Sequence, residues 1–134
     1  MYKKGIAVGL GGFAGALLRY GISEWIPAVN GFPWGILIIN WTGCLFLGWF
    51  LTAAGRQFQI PPHVTLAIGT GFVGAYTTFS TFAVDTVHLM QDGHMGKALL
   101  YIVSSVIVGL LLAFAGVRLG YLGAAKSKSE GKVV

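Results

Sequence analysis

Charge is scarce in this chain: Asp, Glu, Lys and Arg make up only 10% of its 134 residues. Soluble domains carry about a quarter, so a water-facing globule is excluded. The one cysteine, Cys44, leaves no partner for an intrachain disulfide and no thiolate set for a metal cluster, and it reads as a small packing residue. The pairings that enzymatic chemistry needs are missing too. There is no nucleophile beside a base, no His-Glu-x-x-His, no phosphate loop and no carboxylate pair at catalytic spacing. An enzyme is therefore not expected.

What is present is apolar. Hydrophobic residues make up 55% of the chain, and the mean hydropathy is +0.76. A helix needs about 20 mostly apolar residues to cross the hydrocarbon core. Four segments qualify: Lys4 to Tyr20, Trp34 to Ala54, Val64 to Met90, and Met95 to Gly120. The expected fold is all-α and membrane-integral, with four transmembrane helices in one unit over residues 1–125 and a basic, flexible tail over 126–134. The connectors around Pro27 to Pro33, Gly55 to Pro62 and Gln91 to Gly93 are short and rich in turn formers. Lys3 and Lys4 before an apolar run ending in Ala14-Gly15-Ala16 imitate a cleaved secretory signal. Three further spans follow, and the glycines of the first suit helix packing, so it reads as a permanent helix.

The net charge of +5 would raise nucleic acid as a partner in a soluble protein, but here the basic residues sit at span ends and in the tail and act as orientation signals. Lys3, Lys4, Arg56, Arg118, Lys126, Lys128 and Lys132 fall on one side of a four-span topology, with Arg19 and Lys97 on the other. Both termini are then expected in the cytoplasm.

Along the first span, Gly9-Leu10-Gly11-Gly12-Phe13-Ala14 matches a dinucleotide fingerprint, but no strand precedes it and no βαβ unit surrounds it. Gly11 and Gly15, with Gly12 and Ala16 one step around, instead form small-xxx-small pairs for close helix approach. Arg19 ends the span, either snorkelling to headgroups or drawing anions into an aqueous vestibule. Asn40 lies about 10 Å down the second span at 1.5 Å per residue. Its amide has two uses open to it, a bond to a neighbouring helix or donation to a permeating anion.

The third span concentrates the polarity. Gly69, Gly71 and Gly74 precede Thr77-Thr78-Phe79-Ser80-Thr81-Phe82, and such a helix can break where its freed carbonyls find partners. The hydroxyls exceed the usual habit of bonding their own i−4 carbonyl. Phe79 and Phe82, at i and i+3, share a face, and their ring edges carry partial positive charge. In the fourth span Tyr101 and Ser105 stand one turn apart, with Ser104 beside them and Gly109 continuing the line. Asp85 and His88 lie at i and i+3 near the end of the third span, without an evident third metal ligand. Hydroxyls, an amide and ring edges, with no Lys or Arg deep inside, suit an anion that must be held weakly enough to leave.

These residues resemble the Fluc (CrcB) fluoride channels of bacteria and other microbes. The resemblance is carried by Gly11-Gly12-x-x-Gly15-Ala16-x-x-Arg19-Tyr20, by Asn40 with Thr42-Gly43, by Gly71-x-x-Gly74-x-x-Thr77-Thr78-Phe79-Ser80-Thr81-Phe82, and by Tyr101 with Ser105. It spans essentially the whole chain. It implies an antiparallel, dual-topology homodimer in the bacterial inner membrane, with the third helix broken near its middle and two fluoride pores, each lined by both subunits. Phe79 and Phe82 are then the pore phenylalanines, Asn40 donates at the constriction, and Tyr101, Ser105 and Thr81 extend a polar track. Main-chain carbonyls of Gly74 and Thr77 from both subunits hold a structural sodium ion, and Arg19 sits in the vestibule. Two features depart from the pattern: Ala75 and Tyr76 stand where glycine or an aliphatic residue is expected, and Gly109 stands where some relatives have serine.

The function expected from this resemblance is passive, selective export of fluoride from the cytoplasm. The alternative is a proton-coupled exporter like the small-multidrug-resistance proteins, which needs a membrane-embedded carboxylate. Glu24 in a connector and Asp85 near a span end serve that role poorly. A membrane scaffold that transports nothing is the third class.

Overall fold

The computed structural model describes residues 2–56, 58 and 60–130, with side chains described through Ala125. The chain is all-helical. In order it forms α1 (Tyr2–Trp25), α2 (Trp34–Arg56), α3 (Pro62–Leu66), a π-helical segment (Ala67–Val73), α4 (Gly74–Tyr76), α5 (Phe79–Gln91) and α6 (Met95–Glu130). Three helices are long and apolar enough to cross a membrane: α1, α2 and the Met95–Ala125 part of α6. The third expected span arrives in pieces of 5, 7, 3 and 13 residues, each too short to cross alone. The helix interruption expected from the Gly74 to Thr77 stretch is present. Of the expected basic tail, the side chains of residues 126–130 and all of residues 131–134 lie outside the described residues.

Local chemistry sets the connectors. Asn30 and Gly31 both have positive φ, 53° and 77°, the pattern of a type I′ hairpin turn. Around it Val29 and Phe32 exchange N–H···O bonds of 3.1 and 3.0 Å. This small hairpin tips Phe32 into the core, edge-on to Tyr101 with ring centroids 5.6 Å apart. Lys97 Nζ donates to the Asn30 carbonyl at 2.6 Å and fixes the turn to the start of α6. Pro62 opens α3 at a position where its missing N–H costs nothing. At the end of α5, Gly93 has φ 77°; its N–H donates to Met90 O and that of His94 to Leu89 O, the paired bonds of a Schellman motif.

Packing runs through glycines in two parallel pairs. A Cβ on Gly11 would strike the Ala67 carbonyl and one on Gly15 the Phe72 carbonyl; Gly71 returns the contact against Val8. Later residues of α1 thus meet later residues of the third segment, so the two run in the same direction. The α2 and α6 pair repeats the arrangement, Gly48 lying against Ala113, Gly116 against Leu45 and Gly120 against Thr52. These contacts bear out the small-residue packing face expected on α1. Backbones that touch gain dispersion contact where lipid supplies no hydrophobic drive between helices.

Two apolar clusters fill the interior. One joins Phe32, Leu37, Leu89, Ala98 and Tyr101; the other joins Ile36, Ile39 and Tyr76. Phe82 packs against both and ties α5 to each. Toward the far end of the α2 and α6 pair, the Arg56 guanidinium lies 4.2 Å from the Tyr121 ring centroid, an aromatic seat for a charge near the bundle end.

Candidate functional site

The site begins where the third segment stops being helical. Thr77 (φ −76°, ψ 156°) and Thr78 (φ −146°, ψ 126°) are extended, between the end of α4 and the start of α5. Extended backbone inside an apolar bundle needs partners for its polar groups. Asn40 of α2 supplies them. Its Nδ2 donates to the Thr78 carbonyl at 3.0 Å, and its Oδ1 accepts from the Thr78 N–H at 2.8 Å. One side-chain amide thereby imitates a rung of β-ladder. Of the two uses that the sequence left open for Asn40, bonding to another segment is realised, and the second Nδ2 hydrogen stays available as a donor.

The threonines close the rest of the break. Thr77 Oγ1 donates to Val73 O at 2.9 Å. Thr78 Oγ1 accepts from the Thr81 N–H at 3.2 Å, an N-cap that starts α5. The Thr78 hydroxyl also donates to Thr81 Oγ1 at 3.1 Å and lies 3.3 Å from Ser80 Oγ. Two carbonyls lose their helical donors as a result. The Thr78 N–H, which an unbroken helix gives to Gly74 O, goes to Asn40. The Thr81 N–H, which it gives to Thr77 O, goes to the cap. Gly74 itself is exposed, and a Cβ there would meet nothing within 4 Å. A pair of carbonyl oxygens freed in this way is hard-donor chemistry, fitted to a cation such as sodium.

Beside the break lies a groove of about 330 Å³, lined by Asn40, Thr77, Thr78, Phe79, Phe82 and Ser105 and, unforeseen from sequence, by Cys44. Phe79 and Phe82 stand with ring centroids 5.8 Å apart. They share a face, as their spacing requires, but differ in setting. Phe82 is wedged against Tyr101 at 5.0 Å, while Phe79, on the first turn of α5, is 80% exposed. Tyr101 is wholly buried, and neither it nor Thr81 lines the groove; Thr81 is engaged with the Thr78 cap. Arg19 is half-buried on α1, away from the groove lining.

Among the described residues, three buried polar atoms have no hydrogen-bond partner: Tyr101 Oη, Ser105 Oγ and Asp85 Oδ2. The Tyr101 hydroxyl faces the Asp85 carboxylate, the natural acceptor for its hydrogen, and His88 lies close to the same carboxylate. Orphaned buried polar groups are rare because each forfeits its hydration. Here the one left without an acceptor or donor beside it is the Ser105 hydroxyl, whose residue lines the groove. Ser104, the third hydroxyl of that region, bonds within its own helix to Tyr101 O, and its carbonyl accepts from Trp41 Nε1 at 3.2 Å. The groove presents the Asn40 amide, hydroxyls and ring edges in a mostly apolar wall that includes Leu47, Val73 and Val106, and no Lys or Arg lines it; the space behind it also holds the Asp85 carboxylate. Such a surface can accept a small anion without trapping it.

Sequence reasoning missed two parts. The π-helical winding of Ala67–Val73 has no local sign beyond its glycines. Tyr76, which departs from the family pattern, is buried with its hydroxyl 2.8 Å from Thr42 Oγ1. Because Thr42 faces the Ile38 carbonyl at 2.8 Å with its single hydrogen, Tyr76 is the donor, and this bond fastens α4 to α2.

Comparison with known proteins agrees with this chemistry. Residues 6–117 match the family described as CrcB-like protein, Camphor Resistance (CrcB). The chain is 47% identical over 128 residues to a fluoride-specific ion channel FluC 2 of Geobacillus kaustophilus, covering 94% of this chain and 96% of that relative. It is 50% identical over 111 residues to a fluoride-specific ion channel FluC 2 of Moorella thermoacetica, covering 81% and 89%. A fluoride-specific ion channel FluC of Oceanobacillus iheyensis is 44% identical over 114 residues, covering 85% and 88%.

The Asn40 clasp has a direct test. Asn40→Ala leaves both the N–H and the carbonyl of Thr78 unpaired, at a cost of about 1–3 kcal/mol for each buried group. The expected result is faster hydrogen exchange at the Thr78 amide, with amides in the middle of α6 unchanged. An exchange rate at Thr78 equal to that of the native protein contradicts the clasp.

Proposed function

This chain belongs to the CrcB family, and from that membership we propose that it is a fluoride-specific ion channel, a multi-pass membrane protein that conducts and does not catalyse. The observation that carries the reading is the meeting at one helix break of Asn40, Phe79, Phe82 and Ser105, around a groove lined by no fixed cation. Fluoride is small and strongly hydrated, so its path must replace water with donors. The Asn40 amide, the Ser105 hydroxyl and the positive ring edges are such donors, and each is too weak alone to arrest the ion. Conduction needs entry without retention, which neutral groups in sequence provide better than a buried ammonium.

The finer reading is an antiparallel, dual-topology homodimer with two pores in a bacterial inner membrane. Three observations support it. The parallel run of α1 with the third segment, and of α2 with α6, is the order of a chain that crosses four times. Phe79 and Gly74 are both exposed beside the break, where a second copy would cover them. The carbonyls freed at Gly74 and Thr77 number two per chain, so a two-fold partner brings four oxygens together, suited to a structural sodium ion. In this arrangement Tyr101, Ser105 and Thr81 continue the polar track beyond the phenylalanines, and Arg19 borders the vestibule. The excess of basic residues on one side opposes strict dual topology. It is partly seated on rings, as with Arg56 over Tyr121, and the family motif outweighs it.

Export needs no energy source. Fluoride enters as its neutral acid and dissociates in the less acidic cytoplasm, and a negative interior drives the anion out by about 2.3 kcal/mol per charge for each 100 mV. The proton-coupled exporter gives way to this reading because family membership supports the channel.

Two measurements check the proposal. In liposomes loaded with fluoride and given a potassium shunt, the native protein empties the vesicles, while Phe79→Ile and Phe82→Ile slow efflux at least about tenfold, a barrier increase of roughly 1.4 kcal/mol, and still elute as dimers. Native-like efflux from both variants contradicts the pore assignment. Replacing sodium with N-methylglucamine is expected to lower the melting temperature of the purified dimer. Identical melts in the two salts refute the sodium site.

A further inference from the structure

We propose that the crevice between the start of α1 and the start of α3 is a site for the phosphate headgroup of an anionic phospholipid, one per chain. The inference needs only that the chain lies in a membrane, and it stands whichever ion the helix break passes. The crevice measures about 530 Å³ and is lined by Tyr2, Lys3 and Lys4 of α1 and by Pro62 and His63 of α3. Two ammonium groups, an imidazole and a phenol thus border one space between two separate elements.

The charged groups have nothing of their own to bind. Among the described residues, the side chains of Lys3, Lys4 and His63 make no hydrogen bond, ion pair or ring contact. Arg56, Lys97 and Arg118 show the contrast, seated on the Tyr121 ring, the Asn30 carbonyl and the Phe114 ring. Nor is a counter-charge built in. The carboxylates whose side chains are described are Glu24, near the other end of α1, and Asp85 and Asp92, on and just after α5.

Lysines at a span end ordinarily reach into the headgroup layer at large and set orientation. Two observations give these a particular ligand. The cations border a single crevice between two segments, the setting in which basic pockets between membrane helices hold anionic headgroups. Below that rim, Ile6 follows Tyr2 and Leu66 follows Pro62 by one turn, and both apolar side chains are exposed. Phosphate at the rim with an acyl chain along Ile6 and Leu66 uses both levels. A free phosphate would use only the upper one.

The test is a melting-temperature titration of the full-length native protein in uncharged detergent with dioleoylphosphatidylglycerol, dioleoylphosphatidylcholine or glycerol 3-phosphate. Lys3→Gln with Lys4→Gln, and separately Arg118→Gln, are run beside it. Both lysines are exposed, so the double substitution leaves the packing untouched. Phosphatidylglycerol is expected to raise the melting temperature saturably, and the other two compounds are not. The lysine double variant is expected to need at least about tenfold more lipid for the same shift, since each lysine beside an anionic headgroup is worth a factor of about five. Arg118→Gln is expected within about twofold of native. Native mass spectrometry is expected to find one phosphatidylglycerol retained per chain on the native protein and none on the double variant. Equal shifts with the two lipids overturn the proposal. So does a glycerol phosphate shift that matches the lipid's, which marks a free-anion site, or an equal loss in Arg118→Gln and the lysine variant, which marks general surface charge.

Discussion

Two hydrogen bonds between the Asn40 amide and the Thr78 peptide hold the rest of the arrangement in place. A helix cannot end inside hydrocarbon unless its freed groups are satisfied, because each unsatisfied group costs several kcal/mol. Asn40 satisfies both groups of one residue. Thr78 can then remain extended and cap α5 with its hydroxyl, which places Phe79 on the first turn and Phe82 on the next. The same two bonds withdraw the Thr78 N–H from Gly74 O. A structural contact therefore generates the site, and the carbonyls, the rings and the groove all follow from it.

The chemistry that results is defined by weak, neutral donors. A lysine at the groove would bind fluoride strongly and would need its own counter-charge; lone aliphatic walls would leave the ion unsolvated. Between these limits stand an amide with one hydrogen in use, the Ser105 hydroxyl buried without a partner, and ring edges about one helical turn apart. Leaving donors unpaired costs stability. Under the proposed channel reading, a permeating ion is the partner they lack. The glycine contacts that bring α1 onto the π-helical segment and α2 onto α6 offset that cost with close backbone packing elsewhere.

Much of this was legible in the sequence. Apolar length marked three continuous helices and the place of the broken segment, since about 20 apolar residues is a physical requirement of the bilayer. Gly11 and Gly15 announced a contact because small residues at that spacing serve no other common purpose in a membrane helix. The break was readable from threonines crowded after glycines. Its partner was not: a lone asparagine carries no information about which of two acceptors it will meet, so Asn40 was equally a clasp or an ion donor until α2 and the third segment were placed side by side. Thr81 and Tyr101 were grouped with the groove residues by motif, but the fold sets them behind it, one at the cap and one beneath Phe82.

The central claim is that neutral groups gathered at a helix break carry fluoride as a free anion, uncoupled from protons and selected against other halides. The most direct measurement is the zero-current potential of the purified protein in a planar bilayer, with equal chloride and equal pH on both sides and a tenfold fluoride gradient. The account predicts a potential of about 59 mV, the one-electron-charge value for a tenfold ratio, unmoved when a pH gradient is added. A potential near zero, or one that follows the pH gradient, would contradict it.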